Sequence, residues 1–141
     1  MTSVPNVFAI GDCARPSGHA AMENWAYANV SADRAAYAIC DIAVPVSPDL
    51  WLWSKQDELL VQMRGDYSNA EECIVRKKDD SRCYFYLNNN RLVCCIAIND
   101  PAQFGQSRIL YRSKKQLDKN ALADSRVLLK SATIPEQVES T

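Results

Sequence analysis

A short stretch with two prolines, residues 44–48 (Val-Pro-Val-Ser-Pro), divides the sequence into two parts with different patterns. Before it stand one apolar run and one helical pattern, and after it comes a series of short β-like runs. One strand and one helix bury too little surface to form a domain, and they leave both strand edges open. We therefore predict that residues 1–45 are the remnant of one domain, residues 49–131 a complete second domain, and residues 132–141 a flexible tail.

The first part is predicted to contain a buried strand and a helix. The run Val-Phe-Ala-Ile at residues 7–10 has no polar alternation, as in a parallel sheet, and it stops at Gly11-Asp12. A helical pattern then extends from about residue 22 to residue 41. Its apolar positions recur at helical spacing and are mostly alanine, so this face is expected to pack closely on another element. These positions are Trp25, Ala28, Ala32, Ala35, Ala36 and Ile39.

The second part has the pattern of an antiparallel sheet. Five short runs rich in β-branched, aromatic and leucine residues are separated by turn signals, and they cover residues 50–54, 59–63, 73–76, 83–87 and 92–98. Asp100-Pro101 then starts a helix, with Asp as the N-cap and Pro at the first helical position. A further short helical turn is expected at residues 120–124. The predicted class is α+β: a five-stranded antiparallel sheet with helices, preceded by the last strand and helix of an α/β domain.

Composition and charge exclude several classes of protein. Hydrophobic residues make up 48% of the 141 residues, which argues against disorder. No uninterrupted apolar stretch is long enough for a membrane helix, and no secretory signal is visible, so we expect a cytoplasmic protein without a membrane partner. Residues 1–75 contain 4 Lys or Arg and 10 Asp or Glu, whereas residues 76–141 contain 12 and 7. The net charge of −1 argues against nucleic-acid binding, but the basic half suits an acidic protein partner.

The six cysteines are predicted to be reduced thiols rather than a metal site or a disulfide framework. None forms a Cys-x-x-Cys pair, and the chain contains one histidine. Most of them stand among apolar residues, where a free thiol behaves as a small buried side chain. The neighbours Cys94 and Cys95 would point to opposite faces of a strand, which makes them a poor redox pair.

Residues 2–14, Thr-Ser-Val-Pro-Asn-Val-Phe-Ala-Ile-Gly-Asp-Cys-Ala, closely resemble the second FAD-binding motif of two-dinucleotide-domain flavoproteins. In that motif a Thr-led turn precedes an apolar strand and a Gly-Asp pair. The resemblance implies that Gly11 lets the backbone approach FAD and that the Asp12 carboxylate accepts hydrogen bonds from a ribityl hydroxyl.

A second segment, Glu23-Asn24-Trp25-x-x-Ala28, resembles the Glu-x-Trp-x-x-Ala segment of the ferredoxin-reductase branch of these flavoproteins. The resemblance implies that Glu23, Asn24, Trp25 and Ala26 begin a helix whose N-terminus faces the pyrimidine edge of the flavin. The positive end of the helix would stabilise negative charge on the reduced ring. Trp25 would lie beside the ring, near the point where electrons leave.

The resemblance extends through the second part, which opens with Trp-Leu-Trp-Ser-Lys-Gln at residues 51–56. It covers nearly all of residues 2–131, and the chain is similar to the C-terminal portion of the FAD-dependent NAD(P)H:ferredoxin or rubredoxin reductases of the putidaredoxin and rhodocoxin type. These belong to the pyridine nucleotide-disulfide oxidoreductase superfamily. The resemblance implies hydride transfer from NAD(P)H to FAD, and then electron transfer to an iron–sulfur or rubredoxin-type acceptor. Arg15 and Arg108 are the candidates for docking an acidic acceptor.

No Gly-x-Gly-x-x-Gly sequence occurs in the chain, although both FAD and NAD(P)H are normally held on such a loop. We therefore expect only a partial FAD site, a need for a missing N-terminal portion, and no reductase activity from the chain by itself. Whether this chain is itself an enzyme stays open. The alternative hypothesis is a non-catalytic module in which residues 49–131 mediate homodimerisation or partner binding.

Overall fold

The computed structural model describes residues 1–15, 23–44 and 51–135. The chain divides into two compact units, an N-terminal unit of residues 1–52 and a C-terminal unit of residues 53–141. The predicted tail beyond residue 135 and the loop at residues 16–22 lie outside the described residues, as does most of the predicted junction.

The N-terminal unit consists of an extended segment, a 3₁₀ turn at Gly11–Cys13 and helix α1 at Trp25–Ile39. Residues 7–10, predicted as a buried strand, have no strand partner among the described residues. Val7 and Ile10 are 47% and 46% exposed, although Ile10 has extended dihedral angles. A strand is stabilised by hydrogen bonds to a neighbouring strand, so the apolar run by itself does not form one.

Helix α1 buries a different face from the predicted one. Trp25 and Ile39 are 68% and 66% exposed, whereas Tyr27, Val30 and Ser31 are buried. The alanine-rich stripe has little apolar surface to bury, and so it does not determine which face packs. The predicted helix is confirmed. Ala28, Ala32 and Ala35 of the predicted face are half-buried, whereas Trp25 and Ile39 at its two ends are exposed.

Residues 51–98 form the predicted five-stranded antiparallel sheet, nearly all of it in the C-terminal unit, and this fold class is confirmed. The strands are β1 Trp51–Gln56, β2 Leu59–Gly65, β3 Glu72–Lys78, β4 Ser81–Asn88 and β5 Arg91–Ile98, in the order β1-β2-β5-β4-β3. Asn89 and Asn90 both have positive φ, 48° and 58°, and they close the β4–β5 hairpin. Two consecutive left-handed residues give a turn whose twist matches that of the strands, and asparagine tolerates this conformation.

The core lies between one face of the sheet and three segments that follow it. These are helix α2 at Pro101–Ser113, helix α3 at Lys119–Ala123 and a 3₁₀ turn at Leu129–Ala132. The core side chains alternate along β4, lie on both sides of a bulge in β5 and continue onto the helices. They are Cys83, Phe85, Leu87, Leu92, Cys95, Ala97, Phe104, Leu110, Leu117, Leu122, Leu129 and Ala132. Asp100 caps α2 by accepting from the Gln103 N–H at 3.0 Å, and Pro101 occupies the first turn, as the sequence predicts.

Two buried arginines tie this core to its covering segments. Arg64 on β2 donates to the Phe104 carbonyl at 3.3 Å, and its guanidinium lies 4.6 Å from the centre of the Phe104 ring. Arg76 on β3 donates to the carbonyls of Asp124 and Val127 in the segment after α3. Both residues are at least 95% buried, since they are 5% and 3% exposed. The apolar period of the strands gives no sign of these contacts.

The cysteines divide evenly between core and surface, so the prediction that most are buried is only half right. Cys83, Cys94 and Cys95 are buried, and Cys13, Cys40 and Cys73 are exposed. All six thiols are free, as predicted. Burial raises the pKa of Cys83 and Cys94 to about 12, and that of Cys95 to about 11.

Replacing Gly65 is expected to destabilise the fold. Gly65 ends β2 with φ of +85°, and an added Cβ would come within 2.1 Å of the Val93 carbonyl oxygen. Gly65→Ala should lower the free energy of unfolding by about 2 kcal/mol or more, because backbone strain and a backbone clash combine. The matched control is Gly105→Ala in α2, where nothing lies within 4 Å of the added atom. It should be neutral or stabilising by up to about 1 kcal/mol. Equal midpoints for the two variants in urea unfolding would contradict this account of Gly65.

The buried thiols give a second prediction, for alkaline pH. Above about pH 9 the thiols of the unfolded chain ionise, while the raised pKa values keep the three buried thiols protonated in the fold. The unfolded state then binds fewer protons than the native state, so stability should fall between about pH 9 and pH 12. A chromogenic disulfide reagent at pH 8 should titrate three thiols rapidly in the native chain and six in guanidinium. Rapid reaction of all six in the native chain would show that the core thiols are accessible.

Candidate functional site

The Gly-Asp pair that the sequence singles out lies in the 3₁₀ turn at the end of the extended segment. Gly11 has φ of +67°, a left-handed conformation that glycine adopts without a steric penalty. The Ala14 N–H donates to the Gly11 carbonyl at 2.9 Å, and the Cys13 thiol donates to the Ile10 carbonyl at 3.2 Å. These local bonds close the turn, and the Asp12 side chain is left exposed.

A hydrogen bond that spans 20 positions of sequence attaches this turn to helix α1. The Gly11 N–H donates to the Ser31 Oγ at 2.8 Å, and the Ser31 hydroxyl donates to the Ala28 carbonyl at 2.9 Å. A Cβ on Gly11 would lie 3.9 Å from the Ala28 Cβ, which is ordinary van der Waals contact. The turn therefore rests on α1 beside its second turn.

The start of α1 carries the second group of predicted site residues. The Asn24 side chain accepts from the Tyr27 N–H at 2.9 Å and so caps the helix. Trp25 is the first helical residue, and its indole is largely exposed; Glu23 precedes the cap and is also exposed. Ala26 is half-buried in the first turn. The positive end of the helix macrodipole lies at these residues.

The structure thus brings two predicted groups into one unit. Gly11 and Asp12 lie in the turn, and Glu23, Asn24, Trp25 and Ala26 lie at the start of the helix on which the turn rests. The two candidate docking residues are separated: Arg15 is exposed in the N-terminal unit and Arg108 is exposed on α2 in the C-terminal unit.

Sequence reasoning missed the contributions of Ser31 and Tyr27. Both are buried in α1, and both line a cavity of about 540 Å³ in the N-terminal unit, together with Phe8, Arg15 and Arg34. One signal was present: Ser31 is a polar residue in a helix otherwise rich in alanine. A serine there usually bonds to its own helix, however, so its link to Gly11 could not be read from the pattern.

The chemistry available at this site is binding and electrostatic stabilisation. An exposed carboxylate accepts hydrogen bonds from hydroxyls, and a helix N-terminus stabilises negative charge. Within residues 1–15, 23–44 and 51–135 there is no cluster of metal-ligating side chains. Over the same residues, no helix is long and apolar enough to cross a membrane.

Comparison with known proteins supports the resemblance seen in the sequence. A family model described as reductase C-terminal matches residues 51–133. The ferredoxin–NAD(+) reductase component of the p-cumate 2,3-dioxygenase system of Pseudomonas putida is 30% identical to this chain. The match covers 95% of this chain and 35% of the length of that relative. The ferredoxin reductase subunit of 5,5'-dehydrodivanillate O-demethylase from a Sphingobium species is also 30% identical, over 94% and 34%. The chain therefore spans about a third of the length of these curated relatives.

Solved structures give the same match. The covalent putidaredoxin reductase–putidaredoxin complex aligns with a TM-score of 0.76 and 27% identity, over 91% of this chain and 32% of that one. The NADH:rubredoxin oxidoreductase of Clostridium acetobutylicum aligns with a TM-score of 0.59 and 18% identity, over 91% and 33%, and so shares the fold. The family model matches more than half of the residues of this chain, and the chain therefore belongs to the reductase C-terminal family.

Proposed function

We propose that this chain serves as the C-terminal part of an FAD-dependent NAD(P)H:ferredoxin reductase. The observation that carries the proposal is the exposed Asp12 carboxylate, on a turn that is hydrogen-bonded to the helix beginning at Trp25. Membership of the reductase C-terminal family supports it, as do relatives that are named as ferredoxin reductases. In this role the chain holds part of the flavin and contributes to docking of the electron acceptor.

The residues at the turn fit the ribityl and ring portions of FAD. Gly11 places backbone without a side chain at the turn, and Asp12 presents an acceptor for a ribityl hydroxyl. The N-terminus of α1, with Asn24, Trp25 and Ala26, favours negative charge near the ring, while Glu23 stands just before the cap. When bound, FAD accepts a hydride and releases electrons one at a time.

The rest of the cofactor needs residues from elsewhere. None of the 141 residues forms the glycine-rich loop that normally holds a dinucleotide pyrophosphate. We infer that the adenylate half of FAD and all of NAD(P)H are bound by an N-terminal portion such as the relatives contain. By itself the chain is then a weak flavin binder without reductase activity.

Electron transfer to a ferredoxin or rubredoxin-type acceptor is the proposed output. Trp25 is 68% exposed at the helix end, which suits a place between the flavin and a bound acceptor. Arg15 and Arg108 are exposed cationic residues, each in its own unit, and we assign them to docking an acidic partner. Electrostatic docking of this kind mainly raises the association rate and is weakened by salt.

One observation favours a second function, an interaction module. On the side of the sheet opposite the core lie half-buried or exposed apolar side chains that include Met63, Val75, Tyr84 and Ile96. Contiguous apolar surface of this kind often marks a protein interface. Sedimentation of the whole chain tests this: a concentration-dependent dimer supports the module, and a monomer at all concentrations argues against homodimerisation.

Removal of the Asp12 carboxylate should weaken flavin binding. The test replaces the matched part of putidaredoxin reductase, 32% of that chain, by this chain and so joins it to the rest of that enzyme. Asp12→Ala should raise the dissociation constant of FAD about tenfold or more, because a hydrogen bond to a charged group contributes about 1.5–3 kcal/mol. The matched control is Asp33→Ala, an exposed carboxylate on α1. Equal FAD affinity in the two variants would remove Asp12 from the site, and a parent fusion without bound FAD would contradict the proposed function.

Charge reversal at Arg108 tests the docking role. In the same fusion, Arg108→Glu should slow reduction of ferredoxin several-fold at low salt, because it replaces attraction by repulsion. Reduction of a small artificial acceptor such as ferricyanide should be unchanged, since that molecule needs no docking surface. Lys130→Glu, at an exposed lysine, applies the same change in net charge elsewhere. Equal losses with ferredoxin and ferricyanide, or equal losses in the two variants, would contradict a specific docking role.

A further inference from the structure

We propose that Ser31 is a positioning residue for the flavin site, because its hydroxyl fixes the turn that carries Asp12 against helix α1. This inference rests on the proposed function, since it assumes that Asp12 meets a flavin. It adds a residue that belongs to neither group of predicted site residues and that would not touch the cofactor itself.

The Ser31 hydroxyl both accepts and donates a hydrogen bond. It accepts from the Gly11 N–H at 2.8 Å and donates to the Ala28 carbonyl at 2.9 Å. Donation to its own helix fixes the rotamer of the side chain, so the oxygen lone pair points in one direction. Ser31 is 9% exposed, so most of its surface is covered by the protein.

The turn depends on this bond for its location more than for its shape. Two local hydrogen bonds maintain its shape: the Ala14 N–H donates to the Gly11 carbonyl, and the Cys13 thiol donates to the Ile10 carbonyl. The bond from Gly11 to Ser31 instead joins residues that are 20 positions apart. Loss of the Ser31 hydroxyl would leave the N–H of the half-buried Gly11 without its acceptor, and the turn would then be less firmly fixed relative to the helix.

Location matters because the two proposed halves of the flavin contact lie on these two elements. Asp12 is in the turn, and Asn24 to Ala26 begin the helix. A ligand that contacts both is bound well only if the distance between them is fixed beforehand, and a displacement of about 1 Å is enough to impair such a site. Ser31 supplies that constraint one to two turns along α1 from Trp25.

The test compares Ser31→Thr with Ser31→Val in the whole chain. The two side chains have nearly the same shape, but only threonine keeps the hydroxyl, so a loss caused by altered packing affects both. Amide hydrogen exchange followed by NMR reports the Gly11 N–H directly. We expect Gly11 protection to fall at least tenfold in the valine variant relative to the threonine variant. The Tyr27 N–H, which the Asn24 side chain caps, should keep its protection in both and shows that α1 is intact.

The same samples are titrated with FAD into the millimolar range, and binding is followed by amide shifts at Gly11, Asp12 and Ala26. We expect the dissociation constant to be at least threefold higher with valine than with threonine. The matched control is Ser113→Ala on α2, which removes a hydroxyl that likewise bonds its own helix, at the Leu110 carbonyl, and accepts a backbone N–H. It should change neither Gly11 exchange nor FAD affinity.

The outcomes separate this inference from the proposed function. Equal Gly11 protection in the threonine and valine variants overturns the positioning role. Unequal protection with equal FAD affinity also overturns it, and leaves FAD binding by the chain intact. If FAD shifts no amide of the N-terminal unit in the parent chain, the positioning role for flavin fails in this chain. The fusion with the putidaredoxin reductase portion then decides separately whether the proposed function stands.

Discussion

The antiparallel pairing of β4 with β5 is the constraint on which the C-terminal unit depends. Its register places Cys83 opposite Ala97 and Phe85 opposite Cys95, so both strands present apolar side chains to the same face. A slip of one residue would turn those side chains to the other side. The turn at Asn89 and Asn90 sets the pairing of Leu87 with Leu92. A β-bulge with one extra residue in β5 then shifts the register by one, and this bulge sets the pairing of the core residues further along the two strands. Helix α2 begins shortly after β5, so the pairing also sets where the covering layer starts.

The sheet could be predicted from the sequence because both the strands and the turns between them have signals within a few residues of sequence. Each strand carries an alternating or apolar pattern. Turn and cap signals mark where three of the strands end: Gly65 for β2, Asn89 for β4 and the Asp100-Pro101 pair for β5. The structure lengthens the predicted runs by one to three residues. In contrast, the strand at residues 7–10 was mispredicted, because an apolar run becomes a strand only where a neighbour supplies hydrogen bonds. Whether Trp25 is buried likewise depends on neighbouring segments and not on its spacing.

The candidate site was predicted in part, and by a different route. Gly11, Asp12 and the residues from Glu23 to Ala26 were proposed through a resemblance of consecutive residues, which marks a motif even where no periodicity exists. Ser31, Arg64 and Arg76 were missed, because each acts through a backbone group far away in the sequence. A single polar side chain within an apolar pattern gives no indication of which distant carbonyl or N–H it meets. Such contacts have to be observed in the structure.

Each of the two units is stabilised internally by a different kind of interaction, and this difference bears on function. The C-terminal unit has a continuous core, so its stability is spread over many side chains. Among the described residues of the N-terminal unit the buried apolar side chains are Ala14, Tyr27 and Val30. Individual hydrogen bonds, among them the Asn24 cap and the Ser31 link, each contribute about 1 kcal/mol there. Such an arrangement fixes a few backbone positions without requiring a large core around them. Substitutions in the sheet should therefore act on global stability, whereas substitutions around the turn should act on the geometry of Asp12 relative to α1. The flavin-facing chemistry proposed here depends on that second, smaller set of bonds.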